Sequence, residues 1–257
     1  MNRITNLLLA LLIPLLASAW IVPDETLHYS VRFKWGLIDA NVGIARITTC
    51  NDTQAGRFTA TLSGKSVDLL GHYYEAGDTI TGSIMSNGIS RCENENIYGE
   101  KGRFAIETIT YNAEGPSSQG PVTEHLPNGK VVRSRVSNYG SGLTLDLLAV
   151  FYYMRQINYG DYSAGQSFRI NISNGSQVEH LDISYVGTED IEAGGATRST
   201  YHISLTFSAQ GSGQSDNMNV WISADNNRVP LLINGSLSVG HIECRYVDNG
   251  TLLQTGF

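Results

Sequence analysis

The sequence predicts a mainly β protein, an antiparallel β-barrel or half-barrel enclosing one central helix. Three observations carry that expectation. Short runs with the two-residue alternation of a strand recur along most of the chain, separated by Gly, Asn, Asp and Ser turn signals. A single long helical run, LTLDLLAVFYYMRQI at 143–157, is apolar on nearly every side. Strands do not alternate with helices, as a parallel sheet would need.

The chain opens MNRITNLLLALLIPLLASAW, in which Arg3 precedes an apolar run and Ala17-Ser18-Ala19 has the small-x-small pattern of a cleavage site. Residues 1–19 therefore read as a secretory signal peptide and 20–257 as a single β-rich domain. The apolar run is too short to cross a bilayer and no later stretch is long enough, so the mature chain is expected not to span a membrane.

Leu27, Tyr29, Val31, Phe33 and Trp35 alternate without a miss against His28, Ser30, Arg32 and Lys34, which predicts a strand with one buried face. Gly36 turns it, and the alternation resumes from Ile38 until it slips beside Gly43, where a bulge is expected. Phe58, Ala60 and Leu62 continue the meander. VDLLGHYY at 67–74 reads either as a strand or as a helical turn, because it is short and broken by Gly71. Further strands are expected at 79–85, 88–93, 103–111 and 131–136, with a mobile Gly/Pro/Ser-rich loop at 114–129.

In the helical run, Leu143, Leu147, Val150, Phe151 and Met154 keep helical spacing, and Leu148 and Tyr152 widen the stripe until only Asp146, Arg155 and Gln156 are strongly polar. Such a helix must be buried. Ser141 or Thr144 is placed to cap it, and Asp146 and Arg155 suit the two ends of its dipole. Beyond it, strands are expected at 166–173, 178–186, 197–208, 217–224, 229–234 and 237–247, joined by Asn174-Gly175, Gly194-Gly195 and Asp225-Asn226-Asn227 turns.

Removing the leader takes away Arg3 and no acid, so the formal net charge moves from -7 to -8. That acidity disfavours nucleic acid as a partner. The three cysteines Cys50, Cys92 and Cys244 match no zinc spacing and allow at most one intramolecular disulfide, with isolated thiols an equal reading. No Gly-x-Ser-x-Gly elbow, paired-histidine metal spacing or phosphate-binding Gly loop occurs. Neither a cofactor nor a metal is therefore expected, and no residue is assigned a catalytic role; the balance of local signatures leans away from an enzyme.

Two groups of residues remain. Asp225 and Arg228 flank a turn after Trp221 and are expected to pair across it. Asp146 and Arg155 are too far apart on the helix to pair, so each needs a partner from the sheet if buried. A cavity lined by Tyr152, Tyr153 and Trp221 with a buried Arg155 would suit an amphipathic or acidic ligand, and these four residues are the candidate binding site.

The opening strand LHYSVRFKWGLIDANVGIARI, the helix core DLLAVFYYMRQ and the closing segments WISADNNRVPLLI and GHIECRY resemble the bacterial exported domain-of-unknown-function family 3108. The resemblance covers most of the mature chain in order. It implies a β-rich protein of the periplasm or outer envelope of a Gram-negative bacterium, without an established activity. The outline is also similar to that of lipoprotein-carrier half-barrels, a likeness of fold alone. Three functions follow in order of preference: binding of a lipid-like or amphipathic small molecule or an envelope protein, a structural role in envelope assembly, and hydrolysis of an envelope polymer.

Overall fold

The first alternating run forms β1 (Glu25–Trp35) and pairs antiparallel with β2 (Ile38–Asp52). Gly36 sits at φ +57° in the intervening turn, a conformation other residues adopt only with strain. The coordinates are a computed structural model that describes residues 20, 22–67, 73–85, 94–100, 103–109, 119–126, 128, 130–138, 144–173, 178–209, 217–236 and 240–248. The expected leader at 1–19 and the expected strand at 88–93 lie outside the described residues.

The meander continues through β3 (Arg57–Val67), β4 (Tyr73–Met85), β5 (Asn94–Glu100), β6 (Arg103–Ile109), β7 (Gln119–His125) and β8 (Val131–Asn138). After the two-residue β9 (Thr144–Leu145) and the helix α1 (Leu147–Gln156), a second meander follows. It comprises β10 (Ser167–Ser173), β11 (Val178–Ala193), β12 (Ala196–Ala209), β13 (Met218–Ser223), β14 (Pro230–Ser236) and β15 (His241–Val247). β15 pairs antiparallel with β1 from His28 opposite Val247 to Lys34 opposite His241, which joins the two meanders into one sheet. Among the described residues that sheet has fifteen strands, with β8 and β9 at its two edges. It is therefore not closed, and only β9 runs parallel to its neighbour.

Helix α1 touches β4 on one side and β9 and β10 on the other, strands far apart in the sheet order. The sheet must curl around the helix for both contacts to exist. Its inner face supplies Leu27, Ile47, Phe58, Ile183, Ile203 and Ile222 to the core. On the helix, Leu148, Ala149, Val150, Tyr152, Met154 and Arg155 are all buried, so the apolar run is enclosed as its composition requires.

Several elements differ from expectation. The helix begins at Leu147 rather than near 143, because Thr144 and Leu145 pair in register with Asn171 and Ile172 of β10. Asp146, not Ser141 or Thr144, is the cap, and its carboxylate accepts from Ala149 N at 2.7 Å. The expected 114–129 loop contains β7, paired with both β6 and β8. β11 runs past Val186 to Ala193 through a register shift between Tyr185 and Gly187. The slip expected beside Gly43 is present: Val31 faces Gly43 and Arg32 faces Asn41, leaving one extra residue on β2.

Candidate functional site

Arg155 lies in the last turn of α1 with its side chain almost fully buried, which obliges it to find partners. Its Nη1 donates to the Glu25 carboxylate at the start of β1. Its Nε and Nη2 donate to the Asn227 carbonyl at 3.3 and 3.0 Å. One guanidinium therefore links the first strand, the helix and the β13–β14 turn. The expectation that Arg155 needs a partner from the sheet matches the geometry; its charge is already engaged by Glu25.

The turn that presents Asn227 is shaped by Asp225, whose Oδ1 accepts from Ser223 Oγ at 2.8 Å, Asn227 N at 2.9 Å and Arg228 N at 3.1 Å. Arg228 has φ +47°, the strained left-handed region, and its side chain turns away from Asp225. Nη1 donates instead to the Ile157 carbonyl, and Nη2 donates to Asn158 Oδ1 at 3.3 Å. The expected pairing of the Asp225 and Arg228 side chains is thus replaced by a cap on the C-terminal end of α1, where the dipole favours a cation.

Tyr152 is fully buried, with its ring 4.9 Å from Phe58 and its hydroxyl 2.5 Å from Thr49 Oγ1. Burial pushes that hydroxyl up to about 12, against the lowering effects of the Thr49 hydrogen bond and of Arg155. Burial likewise holds Tyr29 and Tyr159 well above the ordinary tyrosine range. The Tyr159 hydroxyl donates to the Met154 carbonyl at 2.8 Å, whereas the Tyr29 hydroxyl has no hydrogen-bond partner among the described residues.

Tyr153, the next residue and about 100° further round the helix, is half-buried. Its ring lies 6.0 Å from Trp20 and 6.4 Å from Phe168 of β10, and Phe168 lies 5.7 Å from Tyr162. Trp20 in turn lies 6.4 Å from Phe58 of β3. Four half-buried rings, Trp20, Tyr153, Phe168 and Tyr162, thus form a continuous row from the β3 wall across the helix to β10. Burial and the neighbouring Tyr162 raise the Tyr153 hydroxyl above the ordinary tyrosine range.

Trp221 is separated from that row by the sheet. Val220 and Ile222 take the inner positions on β13, and Trp221 faces outward, stacked on His202 at 4.4 Å with its Nε1 donating to Glu189. Tyr152, Tyr153, Arg155 and Trp221 consequently do not line one cavity: Tyr152 and Arg155 are packed in the interior, Tyr153 lies in the ring row, and Trp221 is on the opposite face. Trp20, Tyr162 and Phe168 were not foreseen, although the period of β10 puts Phe168 on the same face as Ile170 and Ile172.

Cys50 and Cys244 carry free thiols, while Cys92 lies outside the described residues. Among the described residues no three His, Cys, Asp or Glu side chains converge as metal ligands would, and no helix is long and apolar enough to cross a membrane.

No curated protein matches the chain in sequence. Among solved structures, a beta-barrel-like protein of domain of unknown function DUF1849 from Brucella abortus aligns over 90% of this chain and 98% of its own. The TM-score is 0.62 at 7% identity, a likeness of fold. A candidate lipoprotein from Parabacteroides distasonis aligns over 89% of this chain and 97% of its own at 8% identity, with a TM-score of 0.36, too low to argue from. The family profile described as "Protein of unknown function (DUF3108)" matches residues 28–245, from β1 to β15, and the chain belongs to that family.

Proposed function

We propose that this protein is an exported, non-enzymatic binding protein of the bacterial envelope that holds an apolar or amphipathic, lipid-like molecule against the outer side of α1. The observation that carries the reading is the ring row. Trp20, Tyr153, Phe168 and Tyr162 lie with adjacent centroids 5.7 to 6.4 Å apart, and all remain partly open to solvent. The four rings pack against the core on one side and stay partly open on the other, and a contiguous, partly open apolar row suits the docking of an amphiphile. Tyr153 is the candidate residue best placed to touch the ligand; Tyr152 and Arg155 hold the helix beneath it. Export is supported by the leader-like sequence at 1–19, and a Gram-negative periplasmic or outer-envelope location by what the family resemblance implies.

Native mass spectrometry of the protein purified from its own compartment tests the proposal. A co-purifying amphiphile that is lost in Tyr153→Ser/Phe168→Ser supports it; an empty protein that also fails to bind dodecyl-chain amphiphiles overturns it. A structural or assembly role is the second reading, favoured by the short β9, which among the described residues pairs with Asn171 and Ile172 and leaves Ser167 to Ile170 along the sheet edge. Photo-crosslinking from position 167 to another envelope protein would favour that role. The hydrolase reading has less support, since Asp146 caps the helix and Glu25 neutralises Arg155.

A further inference from the structure

We infer that removal of the leader builds the charged end of the ring row: the α-amino group created at Trp20 is the cationic contact for the head group of an anionic amphiphile. The inference rests on the binding reading above and adds to it a class of ligand. Ala17-Ser18-Ala19 ends one residue before Trp20. The indole of Trp20 is already part of the row, 6.0 Å from Tyr153 and 6.4 Å from Phe58.

The chain is anchored from Val22 on. Val22 is buried and its carbonyl accepts from Asn51 Nδ2 at 2.5 Å, while Asp24 Oδ1 accepts from Asn51 N at 2.6 Å and Nδ2 at 3.0 Å. The bond between Ala19 and Trp20 therefore falls ahead of a stretch that the fold fixes. Its hydrolysis by a leader peptidase takes up one water and leaves a carboxylate on Ala19 and an amine on Trp20. That amine binds a proton, with an ordinary pKa of about 8.

Covalent geometry keeps the new ammonium beside the indole that bears it. The acid nearest in the chain, Asp24, already accepts two N–H groups of Asn51. Arg155 is engaged by Glu25, and Arg169, which follows Phe168, is held by both carboxylate oxygens of Asp182 at 2.7 Å. The row otherwise consists of neutral rings, so a terminal ammonium at one end makes it amphipathic. A fatty-acid-like molecule, with an apolar chain on the rings and its anion at Trp20, matches that pattern.

The test uses protein exported and processed in a bacterial host. N-terminal sequencing must begin Trp-Ile-Val; any other start overturns the inference. Dodecanoate and neutral dodecyl maltoside are then titrated calorimetrically into the processed protein, before and after transamination of its terminal amine to a carbonyl. Loss of the amine should weaken dodecanoate about two- to fivefold, the range of a partly exposed ion pair, and leave dodecyl maltoside unchanged. Equal effects on the two probes, or none on dodecanoate, would overturn the charge contact while leaving the binding reading intact. Failure of both probes to bind the free-amine protein would remove the binding reading and this inference together. Trp20→Phe, which keeps both ring and amine, should retain the preference for dodecanoate.

Discussion

Replacing Arg155 by Met asks most directly whether the helix is fixed by one charge. The guanidinium makes one ion pair to Glu25 and two hydrogen bonds to the Asn227 carbonyl, and its side chain is 3% exposed against 17% for Glu25. Met keeps the buried stem and removes the charge. Glu25 is then left with little access to water and no counter-charge, and breaking a buried pair from one side costs about 3–5 kcal/mol. The lower end of that range applies, because the carboxylate can partly rehydrate. Set against a typical domain stability of about 5–15 kcal/mol, the loss is large. Adding Glu25→Gln to Arg155→Met removes the stranded charge and should recover at least about 1 kcal/mol, whereas Glu25→Gln alone should destabilise. Guanidinium denaturation followed by tryptophan fluorescence and far-ultraviolet circular dichroism measures all four corners of the cycle. A single Arg155→Met variant within about 1 kcal/mol of the parent, or a double variant no more stable than it, would refute the account.

Three further outcomes follow from the geometry. Gly240 has φ +79° and a Cβ there would meet the Lys34 carbonyl at 2.5 Å, whereas a Cβ at Gly36 meets nothing within 4 Å; Gly240→Ala should therefore lower the melting temperature by several degrees more than Gly36→Ala, and equal shifts would discount the clash. Burial raises the folded pKa of Tyr29, Tyr152 and Tyr159 above the unfolded value of about 10, so their contribution is complete below that pH and is lost as pH rises through the folded values. Spectrophotometric titration should show these rings ionising only with alkaline unfolding, not while the circular dichroism is still native. Burial alone would raise Glu243, but Arg245 and the hydrogen bonds from Lys34 and Arg245 outweigh it and hold the carboxyl low. Its contribution is therefore present above about pH 4.3 and lost as pH falls through the depressed value, and Glu243→Gln should flatten the acid limb of stability against pH.

What could be read from the sequence depended on whether one face of an element is apolar. Leu27 to Trp35 alternates cleanly, and the strand is there; Leu148 to Met154 is greasy all round, and the helix is enclosed. Asn94–Glu100 and Gln119–His125 carry few apolar residues and resemble loops, yet both pair on each side within the sheet. Their strand state follows their ladder partners, which no local period records. The same holds for Thr188 to Ala193, a polar extension of β11 that follows β12 beyond its bulge. Within the site, the need of Arg155 for a partner was legible from composition, but Glu25 lies 130 residues away and Asn227 lies 72. Trp221, expected beside Tyr152 and Tyr153, lies on the other face because its neighbours Val220 and Ile222 take the inward positions.

The order of the strands gives Arg155 a role that its pair energy does not capture. β1 and β15 come from opposite ends of the sequence, and their pairing is what turns two meanders into one sheet. Glu25 opens β1, and Asn227 sits in the turn that leads into β14, so the guanidinium grips one residue from each meander. Both grips can exist only after the sheet has come together around the helix. The ring row has the same requirement at one end: Trp20 enters from ahead of β1, Tyr153 from the helix, Tyr162 from the segment that leads into β10, and Phe168 from β10 itself. The helix and β10 can bring Tyr153, Phe168 and Tyr162 together by themselves, but the row is complete only when Trp20 arrives from ahead of β1. Long-range closure of this kind is slow relative to local hairpin formation, so the contact of Trp20 with Tyr153 is expected to form later than those of Tyr153 and Tyr162 with Phe168. Arg155→Met should therefore disturb a surface it does not touch, because it loosens the helix that carries the middle ring.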